Sequence, residues 1–297
     1  MKQINIDKLV TEVLAIEAEE AKQAGALGYM ARALVQATIP HKKVSGSEFT
    51  RRNGAFVLSI LAPSKIGLPY GNIPRLLIAW LTTETIIKKQ RTLCLGNTLS
   101  SFMREIDLIP TGGRWGSITR LKDQMQRLFT SSISCYYESS NKGSERGFRV
   151  ADSHDLWWHP QSSNQSALFE STVTLSENFF NEIINNPVPI DMRALKALKR
   201  SPMALDIYFW LTYRMSYLNK PTKIPWEVLQ SQFGANYTRS RDFKRYFLHQ
   251  LRIVHSIYPK AKLEINENAI VLKPSKTHVP ILKACGIKEL STHKLSR

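Results

Sequence analysis

Between Ser201 and Val279 the apolar residues first recur at a helical period and then switch to a period of two, with Pro or Gly standing at most of the breaks. Few folds accommodate that order. Ser201-Pro202 puts Pro at a first helical position, and Leu205, Tyr208, Phe209, Leu211 and Thr212 follow at helical spacing through Tyr217. Ile224-Pro225-Trp226-Glu227 opens a shorter helix with Val228, Leu229 and Phe233 on one side, and Gly234 ends it where a positive φ is cheap. After a turn over Ala235 to Tyr237, Thr238 or Ser240 is the expected cap of a third helix, in which Phe243, Phe247, Leu251 and Val254 share a face. Beyond Tyr258-Pro259, Lys262-Leu263-Glu264-Ile265 and Ile270-Val271-Leu272 alternate across Asn266-Glu267-Asn268, which predicts a hairpin. Helix, helix-turn-helix and hairpin in sequence predict a winged helix.

The face of the third helix opposite its aromatics is basic. At about 100° per residue, Arg241, Arg245 and Arg252 fall within roughly 40° of one another, flanked by Lys244 and His249. Residues 191 to 256 hold 12 Lys plus Arg against 4 Asp plus Glu, so nearly half of the net charge of +17 sits there. A balance this basic favours polyanions, nucleic acid first among them. Membrane surfaces are the competing polyanion. No apolar run of about 18 residues and no secretory leader pattern occurs, so the expectation is a soluble, cytoplasmic protein without membrane contact.

A weaker copy of the plan lies upstream. Pro74 to Gln90 carries a stripe of Leu77, Ile78, Leu81, Thr85 and Ile86, followed by an extended Thr92-Leu93-Cys94-Leu95. Asn97 or Thr98 caps a helix with Leu99, Phe102, Met103 and Ile106, which ends in the breakers Ile109-Pro110-Thr111-Gly112-Gly113. From Ser117 to Phe129, Ile118, Leu121, Met125 and Leu128 pack while Arg120 and Arg127 point away, flanked by Thr119 and Gln124. Ile133 to Tyr137 and Phe148 to Val150 are expected to pair as wing strands around the polar loop Ser139 to Gly147.

At 297 residues, 43% of them hydrophobic, the chain can furnish two cores. Met1 to Thr38, with 4 basic and 5 acidic residues, places Ile6, Leu9, Val13 and Ile16 on one face. That predicts a helix packed on the first domain or against a second subunit. Residues 138 to 190 are acidic, 7 against 3, and close with Pro187-Val188-Pro189, which sets the boundary. The expected organisation is an N-terminal helix over 1–38, a first winged-helix domain over 39–189, a second over 190–280 and a basic tail over 281–297. The expected fold class is α+β, predominantly helical, with two tandem winged-helix domains.

Catalysis finds no support in the sequence. Cys94, Cys135 and Cys285 are too scattered for a disulfide framework or a zinc cluster, and a structural role is expected. His154 and His159 are five apart with Trp157-Trp158 between them, which does not fit a pair of metal ligands flanking one apolar residue. Neither Gly112-Gly113-Arg114-Trp115-Gly116 nor Gly143-Ser144-Glu145-Arg146-Gly147 supplies the Gly-x-x-x-x-Gly-Lys of a phosphate-cradling loop. No carboxylate pair suits acid and base work. No enzyme activity, metal or cofactor is expected.

The run Ser201-Pro202-Met203-Ala204-Leu205-Asp206-Ile207-Tyr208-Phe209-Trp210-Leu211-Thr212-Tyr213-Arg214 resembles the plasmid-encoded RepA family of replication initiators. Trp226 with Gln232-Phe233-Gly234, Arg241-Asp242-Phe243-Lys244, Leu251-Arg252, Tyr258-Pro259, Lys273-Pro274-Ser275 and His278-Val279 keep that family's order. The resemblance is tight over about 196–280. It is looser over 50–190, where Phe179-Phe180 precede Pro187-Val188-Pro189-Ile190-Asp191.

The resemblance implies a protein that binds repeated sites (iterons) in double-stranded DNA of a plasmid origin. It also implies help in opening the adjacent duplex, recruitment of the host replication initiator and replicative helicase, and dimerisation through the first domain. On that basis Arg241, Lys244 and Arg245 are the expected base readers, Arg239 a further DNA contact and Arg252 a phosphate contact. Arg120 and Arg114 take the corresponding role in the first domain, with Lys122 and Arg127 on phosphate. A winged-helix repressor without initiation activity is the alternative; a nucleoid-type binder driven by charge alone is a third reading.

Overall fold

The computed structural model describes Ile16 and residues 19–96, 98–138, 144–156, 171–234 and 237–280. Strand β1 (Leu27–Ala31) leads into a short helix α1 (Arg32–Gln36), so the helix expected over 1–38 does not run through. The strand pairs antiparallel with β9 (Pro187–Asp191), Leu27 opposite Asp191 and Ala31 opposite Pro187. Gly25, at φ +63, turns the chain into it, and a distant partner strand outweighs the helical preference of the local alanines. Of the four residues assigned to the helix face, Ile6, Leu9 and Val13 lie outside the described residues; Ile16 is helical and buried.

The hairpin β2 (Glu48–Asn53) and β3 (Phe56–Leu61) comes next, then α2 (Asn72–Lys88), β4 (Thr92–Cys94), α3 (Leu99–Glu105) and α4 (Ser117–Thr130). Strands β5 (Ser132–Tyr137), β6 (Ser144–Arg149), β7 (Ala151–Asp155) and β8 (Thr172–Leu175) precede α5 (Glu177–Asn185). After β9 come α6 (Met192–Leu198), α7 (Pro202–Tyr217), β10 (Thr222–Pro225), α8 (Trp226–Phe233), α9 (Ser240–Ile257), β11 (Leu263–Ile265) and β12 (Ala269–Leu272).

One topology occurs twice. In α2, β4, α3, α4, β7 and β8, both β4 and β7 pair with β8; in α7, β10, α8, α9, β11 and β12, both β10 and β11 pair with β12. Each unit is therefore helix, strand, two helices and two strands, with the last strand central. The upstream strands pair as expected but in a different sheet. Ile133–Tyr137 does pair with residues up to Arg149, but as β5 with β6 in a four-stranded sheet ordered β2-β3-β5-β6, inserted between α4 and β7. Leu58 opposite Cys135 and Ile60 opposite Ile133 are buried pairs, and six-residue β3 offers a longer edge than three-residue β4. Residues 139–143 of the expected wing loop lie outside the described residues.

Caps follow the sequence where short polar side chains reach the first turn. Thr98 accepts from the Ser101 N–H at 3.1 Å and Ser201 from the Ala204 N–H at 3.2 Å, with Pro202 leading its helix. Helix α9 has no such cap; Ser240 donates to Gln230 Oε1 instead. Gly234 has a φ of −119°, not positive. It is required for space: a Cβ there would lie 2.4 Å from the Phe243 ring.

The buried apolar side chains form one continuous cluster through both units, and a buried ionic network joins them. Asp206 of α7 accepts from Arg75 Nε and Nη2 of α2, both at 2.7 Å, and from His41 Nε2 at 2.6 Å. Arg75 also donates to the carbonyls of Ile39, Pro40 and Gly71. On the far side of α7, Tyr208 Oη accepts from the Asp191 N–H at 2.9 Å and meets His278 Nδ1 at 2.8 Å, tying the segment after β12 to β9.

These two histidines make stability pH-dependent. Burial pulls His41 below its ordinary pKa despite Asp206, and pulls His278 down to about 4. Both are neutral in the fold at pH 7, whereas in the unfolded chain they protonate below about pH 6.5. Their contribution is whole above that pH and is lost on the way down towards 4. Burial raises the Asp206 carboxyl, but Arg75 and His41 outweigh it and hold it below the usual range, so its share goes only below about pH 4. Urea titration at pH 5 should give an unfolding free energy lower than at pH 7 by about 2 kcal/mol from His278, with a further loss from His41. Equal values would mean that the imidazoles are charged in the fold.

Among the described residues no helix is long and apolar enough to cross a membrane, and no group of His, Cys, Asp and Glu could hold a metal ion. Cys94 and Cys135 are free; burial pushes the Cys135 thiol up to about 12, far from thiolate chemistry. Cys285 and His159 lie outside the described residues, and His154 packs against Phe129 at 5.3 Å between ring centroids.

Candidate nucleic-acid interface

Helix α9 is positioned by its aromatic stripe. Phe243, Phe247 and Val254 are fully buried and Leu251 nearly so, as their spacing predicts. Phe247 sits 5.4 Å from Phe233, 5.5 Å from Phe243, 6.1 Å from Trp226 and 6.5 Å from Trp210, centroid to centroid, so α9 is clamped to α7 and α8. The opposite face carries the cations. Arg239, Arg241 and Arg252 are exposed and make no polar contact among the described residues. Arg245, 81% exposed, has only a 3.3 Å contact with Asp242. Such pairs contribute little and leave the guanidinium free to turn to another anion.

Lys244 departs from its assigned place among the base readers. Its Nζ donates to the Glu267 carbonyl in the β11–β12 turn and lies 4.9 Å from the Trp226 ring centroid. It ties the hairpin to the helix instead of facing outward.

In the first unit the expectation holds for some residues only. Arg120 is exposed and unpartnered among the described residues, Arg114 is exposed with its guanidinium 5.2 Å from the Trp115 ring, and Lys122 is half-buried. Arg127 is turned inward: its side chain is 13% exposed, paired with Asp123 at 2.9 Å and 5.6 Å from the Tyr70 ring. Gln124, expected to face outward, is buried and accepts from the Tyr70 N–H at 2.8 Å. Beside Arg114, Trp115 is 82% and Ile109 78% exposed, an apolar tip at the entrance of α4.

The buried network was missed. Arg75 sits in an apolar run, Pro74-Arg75-Leu76-Leu77, and Arg51 at an inward position of β2 beside Phe49; a charge on a core-facing position is the available signal.

A family model described as plasmid-encoded RepA protein matches residues 68–227, more than half of the chain. It reaches further upstream than the tight resemblance over 196–280 and ends at Glu227, before the arginines of α9. Two crystal structures of RctB domains 2 and 3 are similar in fold. One is 11% identical, covering 82% of this chain and 97% of that one with a TM-score of 0.49; the other, of selenomethionine derivatives, is 12% identical, covering 82% and 98% with a TM-score of 0.50. Curated protein sequences give no match. The residues 68–227 span the first unit from α2 onward and the opening helix of the second, and on that match the chain belongs to the plasmid-encoded RepA family of replication initiators.

Proposed function

We propose that this initiator binds repeated sites in duplex DNA of a plasmid origin through two tandem winged-helix domains. It then opens the adjacent duplex and recruits the host replication initiator and replicative helicase, working in the cytoplasm without catalysis or cofactor. Helix α9 enters the major groove with Arg241 and Arg245 early on the reading face; Arg252, farther along, meets phosphate. Hairpin β11–β12, held by Lys244, lies along the backbone. Helix α4 does the same in the first domain with Arg114, Arg120 and Lys122, and that domain mediates dimerisation.

The observation that carries this reading is the row of exposed arginines on α9, opposite a buried aromatic stripe and directly after a helix and turn. At about 150 mM salt the protein should prefer duplex from its own replicon's origin over scrambled duplex by about 10³ or more. Arg241→Ala should relax sequence preference by about 1–3 kcal/mol, whereas Arg252→Ala should weaken all duplexes alike and lower the salt slope by about one. Equal binding to both duplexes would refute the reading. Equal losses from both variants would move Arg241 to the phosphates. Supplying the chain in trans to a minimal origin separates initiation from repression: replication supports the proposal, and repression alone favours the repressor.

A further inference from the structure

Strand β2 alternates, with Glu48, Thr50 and Arg52 outward and Phe49 and Arg51 inward. An arginine on the core side of a strand must find anions or remain a costly buried charge. Arg51 is 2% exposed, and its Nε and Nη1 have no hydrogen-bond partner among the described residues. The nearby carboxylate, Asp206, is already engaged by both forks of Arg75 and by His41. Beneath the surface the ledger of charge is therefore two guanidinium groups against one carboxylate. Phe49, whose ring centroid is 4.8 Å from the Arg51 guanidinium, offers a weak π contact and no acceptor oxygen.

This unbalanced group lines a cavity of about 260 Å³ between strand β2 and the second unit, together with His41, Lys42, Met203, Tyr237 and Tyr246. Lys42 is exposed and adds a second uncompensated cation, while Tyr237 lines the cavity from the turn before α9 and Tyr246 from α9 itself. We propose that this cavity is an oxyanion site that takes a phosphate group, held by the Arg51 guanidinium and by Lys42. A phosphate carries between one and two negative charges at neutral pH and several acceptor oxygens, which match a fork of N–H donors and an ammonium. The group comes either from a free phosphate or from a DNA backbone. The cavity adjoins α9, so occupancy by the backbone would connect reading in the groove to the seam between β2 and the second unit. The assignment of the site stands without the DNA reading.

The test uses the full chain and inorganic phosphate as probe. Phosphorus NMR line broadening and thermal denaturation are followed against phosphate concentration, with chloride holding ionic strength constant. Saturable binding is expected, weakened about 10-fold or more by Arg51→Met and about 3-fold by Lys42→Gln, and unchanged by Lys88→Gln, whose ammonium is paired with Glu84 on α2. Without phosphate, Arg51→Met should be at least as stable as the parent chain, since it removes an unpaired buried charge. Lys42→Gln decides the matter if Arg51→Met fails to fold. Displacement of phosphate by a duplex would identify the backbone as the source, and simultaneous binding would identify free phosphate; both support the site. Absence of saturation up to about 50 mM, far above useful affinity, or parent-like binding by both variants, would overturn it.

Discussion

Asp206→Ala is expected to lower the unfolding free energy by about 3–5 kcal/mol. The carboxylate is 4% exposed and Arg75 1%, so water cannot replace the lost partner. Removing it would leave two guanidinium groups, of Arg75 and Arg51, buried with carbonyls and a ring as their only company. The cost comes mainly from the charges stranded, not from the worth of the pair. For the same reason Asp206→Leu combined with Arg75→Met should recover most of the loss. Urea titration of the parent chain, Asp206→Leu, Arg75→Met and the double variant gives the coupling as a double-mutant cycle. Because α2 and α7 open the two repeated units, the single variant should also broaden or split the transition. A loss under about 1 kcal/mol would mean that water reaches the pair.

Phe247→Ala should cost about 3–5 kcal/mol, through a cavity at the centre of four aromatic rings. The effect should extend beyond stability. Phe247 fixes α9 against both α7 and α8, so its loss lets the arginine face wander, and binding to every duplex should fall. Arg252→Ala, on the exposed face, should leave the melting temperature unchanged. Calorimetry on the two variants separates the roles, and a parent-like melting temperature for Phe247→Ala would put the opposite face of α9 inward.

What could be read from the sequence was local. The stripe Phe243, Phe247, Leu251 and Val254 declares which side of α9 packs, because helical period depends only on residues three and four apart. The same logic separated Arg241, Arg245 and Arg252 from that stripe. It failed for Lys244 and Arg127: Lys244 meets Trp226 and Glu267, and Arg127 meets Tyr70 as well as Asp123 one turn back. Apart from Asp123, those partners come from other elements, and spacing within one helix carries no trace of them. Strand β5 was given its true partner in β6, but its second neighbour β3 was not foreseen, since alternation fixes a face and not a pairing. Gly234 was placed at a helix end for its φ, whereas the ring of Phe243, folding back from the next helix, is what excludes a side chain.

The pairing of β1 with β9 bears on how the chain is made. About 160 residues separate the two strands, and translation at roughly 5–20 residues per second opens a gap of some 8–30 s between their synthesis. Throughout that interval β1 has apolar Met30 and Ala31 to hide and a hydrogen-bonding edge to fill. A nascent chain in this state offers its edge to other nascent chains, so crowding on a polysome and slow elongation should both favour aggregates seeded by residues 27–31.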